Sequence, residues 1–595
     1  MLTYTPPLKD MLFVLNEVLA APALLAQLPA HADVDTALMR EVLEQAGRFA
    51  RDVIFPLNAS GDAQGCTFDQ GKVTTPDGFA DAYRQFLDGG WPALACATED
   101  GGQGLPHTLN CALFEMLAAT NHGWTMYPDL LHGAYSCLRA HGSEELKQRY
   151  LAKIATGEWL TTMCLTEAHA GSDLGLLRTR AVPQLDGSYK LSGDKIFISG
   201  GEHDLTDNIL HLVLARLPDA PVGSKGISLF LVPKFLPEGQ RNQVHCTGIE
   251  HKMGVHGSAT CSMQFDGATG WLVGEAHRGL NAMFVMMNSA RLHVGVQGLG
   301  LGETAYQNAL AYARDRVQSR AVERPAGTSA PADAIVHHPA VQRLLMNQRV
   351  WVEGGRMLAY WSALMLDQAE HDPDVQQRTA INGLLALITP IVKAVLTQQG
   401  YDGASLALQV FGGHGYVVET GIEQTIRDAR ITMVYEGTNE IQAIDLLMRK
   451  VLADGGRCLF AWLDQVESFA HGVADSQDGS QAARHARQLL ALTEGLRTRL
   501  ARIDAARTEQ PRLPYDIAGE FMHIVSHCAF GWLWLRAELA AAALIDQALG
   551  DAKCTTACYY YTFMLPATQQ YFAVIDASLA AGNAFPKDLI NQHAA

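Results

Sequence analysis

The strand-like segments of this chain fall in one block. Between about Thr161 and Glu275, short β-type runs (YKLSGDKIFIS, ILHLVLARL, GISLFLV, CSMQFDG) are separated by Gly, Pro and Asp turns. On both sides of the block, apolar residues recur at the three- and four-residue steps of helices, as in LMREVLEQAGRFARDVIFPL. Strands that do not alternate with helices cannot build a doubly wound nucleotide-binding sheet, so the expected class is mainly α with a central β-domain. The expected division is 1–38 as an N-terminal extension, 39–160 as a helical domain, 161–278 as the β-domain, 279–465 as a helical bundle, and 466–595 as a linker followed by a C-terminal helical module. The polar stretch HGVADSQDGSQ after Phe469 has the composition of the linker, and Arg324 to Ala334 that of a surface loop.

With 595 residues, 48% of them hydrophobic, the chain can bury a large core, and dominant disorder is excluded. A net charge of −17, from 45 basic and 62 acidic side chains without a segregated basic patch, disfavours nucleic acid as a partner. Eleven cysteines lie scattered from Cys66 to Cys558, and the closest pair, Cys554 and Cys558, has no second pair to complete a zinc site, so they read as reduced thiols and no metal is expected. Lys9 and Asp10 break any apolar leader near the N-terminus, and the most apolar stretch, from Ala529 to Leu544, is interrupted by Arg536 and Glu538. A cytoplasmic protein without a membrane span is the expectation.

Gly298, Gly300 and Gly302 in GVQGLGLGE invite a dinucleotide-binding reading, but a third glycine would fall on Glu303 and the flanks are helical on both sides. Close helix packing is the reading that fits this context.

Four segments, MCLTEAHAGSDLG at 163–175, KIFISGG at 195–201, QVFGGHGY at 409–416 and RDARITMVYEGTNEIQ at 427–442, occur in order and together resemble the acyl-CoA dehydrogenase family. The resemblance runs through about residues 35–455 and implies a helical domain, a β-barrel-like domain and a helical bundle, here with an extra C-terminal helical domain. The segment HKMGVHGSATCSMQFDGATGWLVGE at 251–275 and the added module resemble a bacterial subgroup with chains of this length, which includes 3-(methylthio)propanoyl-CoA and broad-range fatty acyl-CoA dehydrogenases.

The implied reaction is FAD-dependent desaturation of an acyl-CoA thioester between Cα and Cβ, giving the trans-2-enoyl-CoA. An α-proton of a thioester is too weakly acidic for a carboxylate in water, so such a site must desolvate its base and stabilise the developing enolate. Glu436, in VYEGTNE, matches the family's base, with a hydride leaving Cβ for flavin N5 and the backbone N–H of Glu436 binding the thioester oxygen. Gly437 beside it suits a tight turn next to substrate. Some branches place the base on a helix just before an arginine; here that residue is Ala290, before Arg291, and alanine cannot accept a proton.

By the same resemblance, Met163, Leu165 and Thr166 line the isoalloxazine, and Ser172 lies near the flavin phosphates and the CoA arm. Phe197 takes the place of the usual Trp and Ser199 that of Thr. Arg316 and Gln318 match the arginine segment that reaches a neighbouring subunit's FAD pyrophosphate, to which a guanidinium fork is suited. The aromatic that commonly follows is replaced by Ser319 and Arg320. Gln409 and Gly413 match the partner-subunit segment at the same dinucleotide, Thr438 and Glu440 follow the base toward it, and His414 reads as a packing residue. Asn288 and Arg291, three apart on one helix face, match a pair that contacts the CoA thioester region.

The implied partners are acyl-CoA, electron-transferring flavoprotein as acceptor, and a second copy of the chain, with Leu489, Leu492, Leu496 and Trp534 anchoring the module in a homodimer. The rival readings are an acyl-CoA oxidase, which the C-terminal NQHAA disfavours because it carries no peroxisomal tripeptide, and a nucleic-acid-associated relative.

Overall fold

The computed structural model describes residues 2–324, 326–327, 329–475 and 480–581. The C-terminal NQHAA and part of the expected linker, 476–479, lie outside the described residues.

The β-block folds into a closed ring. Strand Ile209–Arg216 pairs with Ile227–Pro233, that strand with Thr260–Val273, then Tyr189–Ser199, then Arg180–Pro183, which returns to Ile209–Arg216. Leu160–Cys164 is added parallel to Ile209–Arg216, and Val244–Ile249 antiparallel to Thr260–Val273. The inward residues Ala181, Leu191, Ile198, Val213, Phe230, Val232 and Phe265 fill the barrel. The family's barrel-like middle domain is therefore present.

Three long helices form the bundle: Gly279–Asp315, Pro339–His371 and Val375–Phe411. The glycines of the first are packing devices. A Cβ on Gly298 would meet the Leu396 carbonyl at 2.6 Å, and one on Gly300 the Glu115 carbonyl at 2.6 Å. Side chains are thus excluded where the helix crosses Val375–Phe411 on one side and His107–Thr120 on the other. Among the described residues one helix, Val375–Tyr416, is long and apolar enough by length and composition to cross a membrane. It is not the stretch expected to be most apolar, Ala529 to Leu544, and it carries Lys393 within its apolar run. In the fold it is the central core helix, packed against both other long helices.

Two local expectations need correction. The helical stretch from Asp35 to Lys153 contains a hairpin, Thr67–Asp69 with Lys72–Thr74, whose three-residue strands are too short to show a period of two. The boundary at 465/466 falls inside helix Arg457–Ala474, so the first residues of HGVADSQDGSQ are helical. This helix pairs with Gln481–Ala506, and its buried Leu459, Trp462, Leu463 and Val466 explain why the helix continues past Phe469 into polar sequence.

In the C-terminal module, Leu489, Leu492 and Leu496 of Gln481–Ala506 and Trp534 of Ala518–Ala542 are all buried within one core. Trp534 and Phe530 lie against Gly354 of Pro339–His371, where a Cβ would approach either ring at 2.9 Å. Module and bundle therefore share a packed face.

Candidate active site

Glu436 sits in the turn between helix Ile422–Thr432 and the short helix Asn439–Ile444. Its φ is +55°, in the left-handed region that a non-glycine residue rarely adopts, and Gly437 follows at +85°. A Cβ on Gly437 would meet Gln442 Nε2 at 2.8 Å, so glycine is required there. Gln442 Nε2 donates to the Glu436 carbonyl at 2.9 Å and fixes the turn from the helix that follows it. The Glu436 N–H meets no acceptor among the described residues, which leaves a donor unused in the turn.

Glu436 is partly exposed, but its carboxyl lies among buried groups. Burial pushes its pKa up to about 7, with Asp129 adding to the push and Arg291 and Lys393 pulling against it. Arg291, from helix Gly279–Asp315, stands 3.8 Å from Asp445, and its Nε has no partner. Asp445 opens the π-helical turn Asp445–Val451 that follows helix Asn439–Ile444. Beneath the turn, the Tyr435 hydroxyl donates to Gln297, which donates to Asp129 at 3.1 Å, and His293 lies 3.1 Å from Asp129. His122 completes this polar floor, 3.3 Å from the Tyr435 hydroxyl.

The structure groups the remaining sequence-derived residues into two clusters. At the barrel, the Ile196 N–H donates to the Thr166 carbonyl at 3.0 Å, and Lys195 donates to the Leu165 carbonyl at 2.9 Å. These bonds bring Met163, Leu165 and Thr166 beside Phe197 and Ser199. Phe197 lies at a register break in its strand, with φ +60° and 59% exposure. A strained backbone that presents an uncovered ring fits a flat aromatic cofactor, and a flavin is such a group. Ser172 is exposed in the loop that follows Thr166.

The second cluster lies at the far end of the bundle. Arg316 caps helix Gly279–Asp315 and stands 3.4 Å from Gln318. Tyr312 of the same helix stacks on Phe411 at 4.3 Å and lies 3.1 Å from Nδ1 of the exposed His414, which places Gln409 and Gly413 nearby in the chain. Gln409 and Gly413 are exposed, and a Cβ at Gly413 would meet nothing within 4 Å. Val317, Tyr416, Val417 and Val418 are exposed around them. Arg291 and Arg316 are 25 residues apart on one helix, roughly 37 Å at 1.5 Å per residue. The second cluster therefore stands far along the helix from Arg291 and the Glu436 turn within one subunit.

Thr438 caps Asn439–Ile444 through its hydroxyl, Glu440 is exposed in that helix's first turn, and Asn288 is exposed one turn before Arg291. Sequence reasoning missed Lys393, Asn439, Gln442 and the Asp129–Gln297–Tyr435 floor. The available signal was one lysine inside the apolar run GLLALITPIVKAVL.

Four family models match consecutive stretches: acyl-CoA dehydrogenase N-terminal domain over 36–158, middle domain over 162–268, C-terminal domain over 277–451, and acetyl-CoA dehydrogenase C-terminal like over 462–583. The 3-methylmercaptopropionyl-CoA dehydrogenase of Ruegeria pomeroyi is 42% identical over 557 residues, 93% of each chain. The broad-specificity linear acyl-CoA dehydrogenase FadE5 of Mycobacterium tuberculosis is 36% identical over 575 residues, 92% of each chain. Among solved structures, Caenorhabditis elegans ACDH-11 in complex with C11-CoA matches at a TM-score of 0.79 and 19% identity, covering 98% of this chain and 96% of that one. An acyl-CoA dehydrogenase complexed with FAD from Bacillus anthracis matches at 0.74 and 19%, covering 95% and 91%. At such identities the structures speak to the fold.

Proposed function

The chain belongs to the acyl-CoA dehydrogenase family, and on that premise we propose that it desaturates an acyl-CoA thioester to the trans-2-enoyl-CoA with Glu436 as the α-proton base and FAD as its cofactor. The observation that carries the reading is the Glu436 turn: a desolvated carboxyl with a pKa near 7, next to an unpaired backbone N–H in a strained conformation. A base poised near neutral pH can be ionised in the free enzyme and still hold a proton once it has taken one. The Glu436 N–H donates to the thioester oxygen as negative charge develops there. FAD, when bound, supplies the two-electron acceptor for the hydride that leaves Cβ.

Met163, Leu165, Thr166, Phe197 and Ser199 hold the isoalloxazine in this reading, and Asn288 and Arg291 the thioester arm. Ser172 lies toward the CoA and flavin phosphates, while Thr438 and Glu440 face the dinucleotide behind the base. Arg316, Gln318, Gln409 and Gly413 serve the pyrophosphate of a second copy's FAD, which their distance from Arg291 favours. A homodimer in the cytoplasm that delivers electrons to electron-transferring flavoprotein completes the proposal.

For the substrate, the similarity to a 3-methylmercaptopropionyl-CoA dehydrogenase and to a broad-specificity linear acyl-CoA dehydrogenase supports 3-(methylthio)propanoyl-CoA or a linear fatty acyl-CoA.

Glu436→Gln keeps the shape and removes the proton acceptor. The variant is expected to bind FAD and acyl-CoA while flavin reduction falls by roughly 10²- to 10⁴-fold. Flavin bleaching at the wild-type rate would place the base elsewhere. A panel of acyl-CoAs with an artificial acceptor, 3-(methylthio)propanoyl-CoA among them, ranks the substrates, and fast reoxidation by O2 would favour an oxidase instead.

A further inference from the structure

Lys393 lies in the middle of the core helix Val375–Phe411 with none of its side chain exposed. A buried ammonium is expensive unless it is paired and hydrogen-bonded, and among the described residues this one makes a single hydrogen bond, to Asn439 Oδ1 at 3.0 Å. Asn439 is three residues beyond Glu436, at the first position of helix Asn439–Ile444. Every polar group of the Asn439 side chain is used in the same way. Its Nδ2 donates to the Ala394 carbonyl at 3.0 Å, and its Oδ1 accepts from Thr397 at 3.3 Å. Its backbone N–H also closes the turn by donating to the Met433 carbonyl at 3.2 Å. The stretch from Met433 to Asn439, with the strained Glu436 inside it, is thereby tied to one turn of the core helix.

We propose that Lys393, acting through Asn439, is a positioning residue for the base: it anchors the turn that holds Glu436 at positive φ and keeps a positive charge beside the carboxylate. The inference rests on Glu436 being the base. The groups that face Glu436 are Lys393 from the core helix, Arg291 from Gly279–Asp315 and Asp129 from the turn Pro128–Leu130, with Tyr435 beside it in its own turn. Two cations, Lys393 and Arg291, thus favour the ionised carboxyl, and a second carboxylate, Asp129, opposes it. Burial pushes the Lys393 ammonium down to about 7, with Glu436 and Glu440 pulling it back up and Arg291 adding to the fall. Lys393 is among the groups that lower the Glu436 pKa, so loss of the lysine moves the carboxyl upward. A lysine that served packing alone would find methionine a good substitute. A lysine that serves charge would not.

The test uses the full-length holoprotein and follows anaerobic flavin reduction by acyl-CoA at low substrate across neutral pH. Lys393→Met is expected to keep FAD, to slow reduction at neutral pH by about tenfold or more, and to move the midpoint of the pH profile up by about one unit. Lys393→Arg keeps the charge and is expected to restore the midpoint, even if its bulk keeps the rate low. A wild-type rate and midpoint in Lys393→Met, or a slower rate with an unmoved midpoint, overturns the proposal. Should Lys393→Met not fold, Asn439→Ala cuts the same link, and a wild-type profile there overturns it equally. Glu436→Gln separates the two levels. If it is inactive while Lys393→Met is normal, the clamp alone fails; if it is fully active, the base assignment fails and the clamp falls with it.

Discussion

Two clusters of buried charge lie in this molecule, and they are satisfied to different degrees. In the first, Arg356 of helix Pro339–His371, 1% exposed, reaches Glu115 and Glu303 at 2.5 Å each and also pairs with Asp10. Lys553 pairs with Asp10 and, at 2.8 Å, with Glu353, while the Tyr360 hydroxyl donates to Glu115 at 2.6 Å. The cluster ties the N-terminal lead, the helical domain, the bundle and the C-terminal module to one another, and nearly every charge has a direct partner. In the second, Lys393, Arg291 and Asp129 each act on the Glu436 carboxyl, which forms no ion pair among the described residues. A buried carboxylate locked to a guanidinium ties parts of the chain together, whereas a buried carboxyl without such a partner is free to take up and release a proton.

The contrast can be broken in several ways. Arg356→Met leaves Glu115, Glu303 and Asp10 facing one another without the guanidinium, so it should cost about 3–5 kcal/mol of stability. The flavin reduction rate of whatever folds should stay near wild type. A lowered rate with unchanged thermal stability would reverse the roles given to the two clusters. Tyr360→Phe removes one bond to a buried carboxylate and should cost roughly 1.5–3 kcal/mol, read by chemical denaturation. Arg291→Met in the second cluster should leave stability within about 1 kcal/mol but move the pH midpoint of flavin reduction upward, because a cation that favours the ionised base is gone. The Arg502–Asp576 pair has short geometry but stands at the surface, and Arg502→Ala should change stability by about 1 kcal/mol or less.

Sequence alone made one side of this comparison legible. Glu436 and Gly437 were visible because their neighbours lie within a few residues and form a recognisable segment, and the barrel was visible because its strands are contiguous runs of Val, Ile, Leu and Phe. The packing role of Gly298 and Gly300 followed from their helical flanks. The clamp and the structural cluster were not legible, since their members are far apart in the chain: Lys393 is 46 residues from Asn439, and Asp10 is 346 from Arg356 and 543 from Lys553. Periodicity marks an apolar helix without saying which buried charge a core lysine will meet. The boundary at 465/466 failed for a related reason, because polar residues on the outer face of Arg457–Ala474 read as linker. Phe197, taken as a conservative replacement, proved informative through its backbone, which no composition could show.

The most direct test of the central claim, that Glu436 is a desolvated base, is the second-order rate of anaerobic flavin reduction at low acyl-CoA as a function of pH, in the wild type and in Glu436→Gln. The carboxylate is the working form, so a raised pKa means that activity is absent at acid pH and appears as pH rises. The wild-type rate should climb through a midpoint near 7 and level off above it. The variant should remain low and lack that step. A wild-type profile already flat from acid pH upward, or the same step retained in Glu436→Gln, would contradict the account.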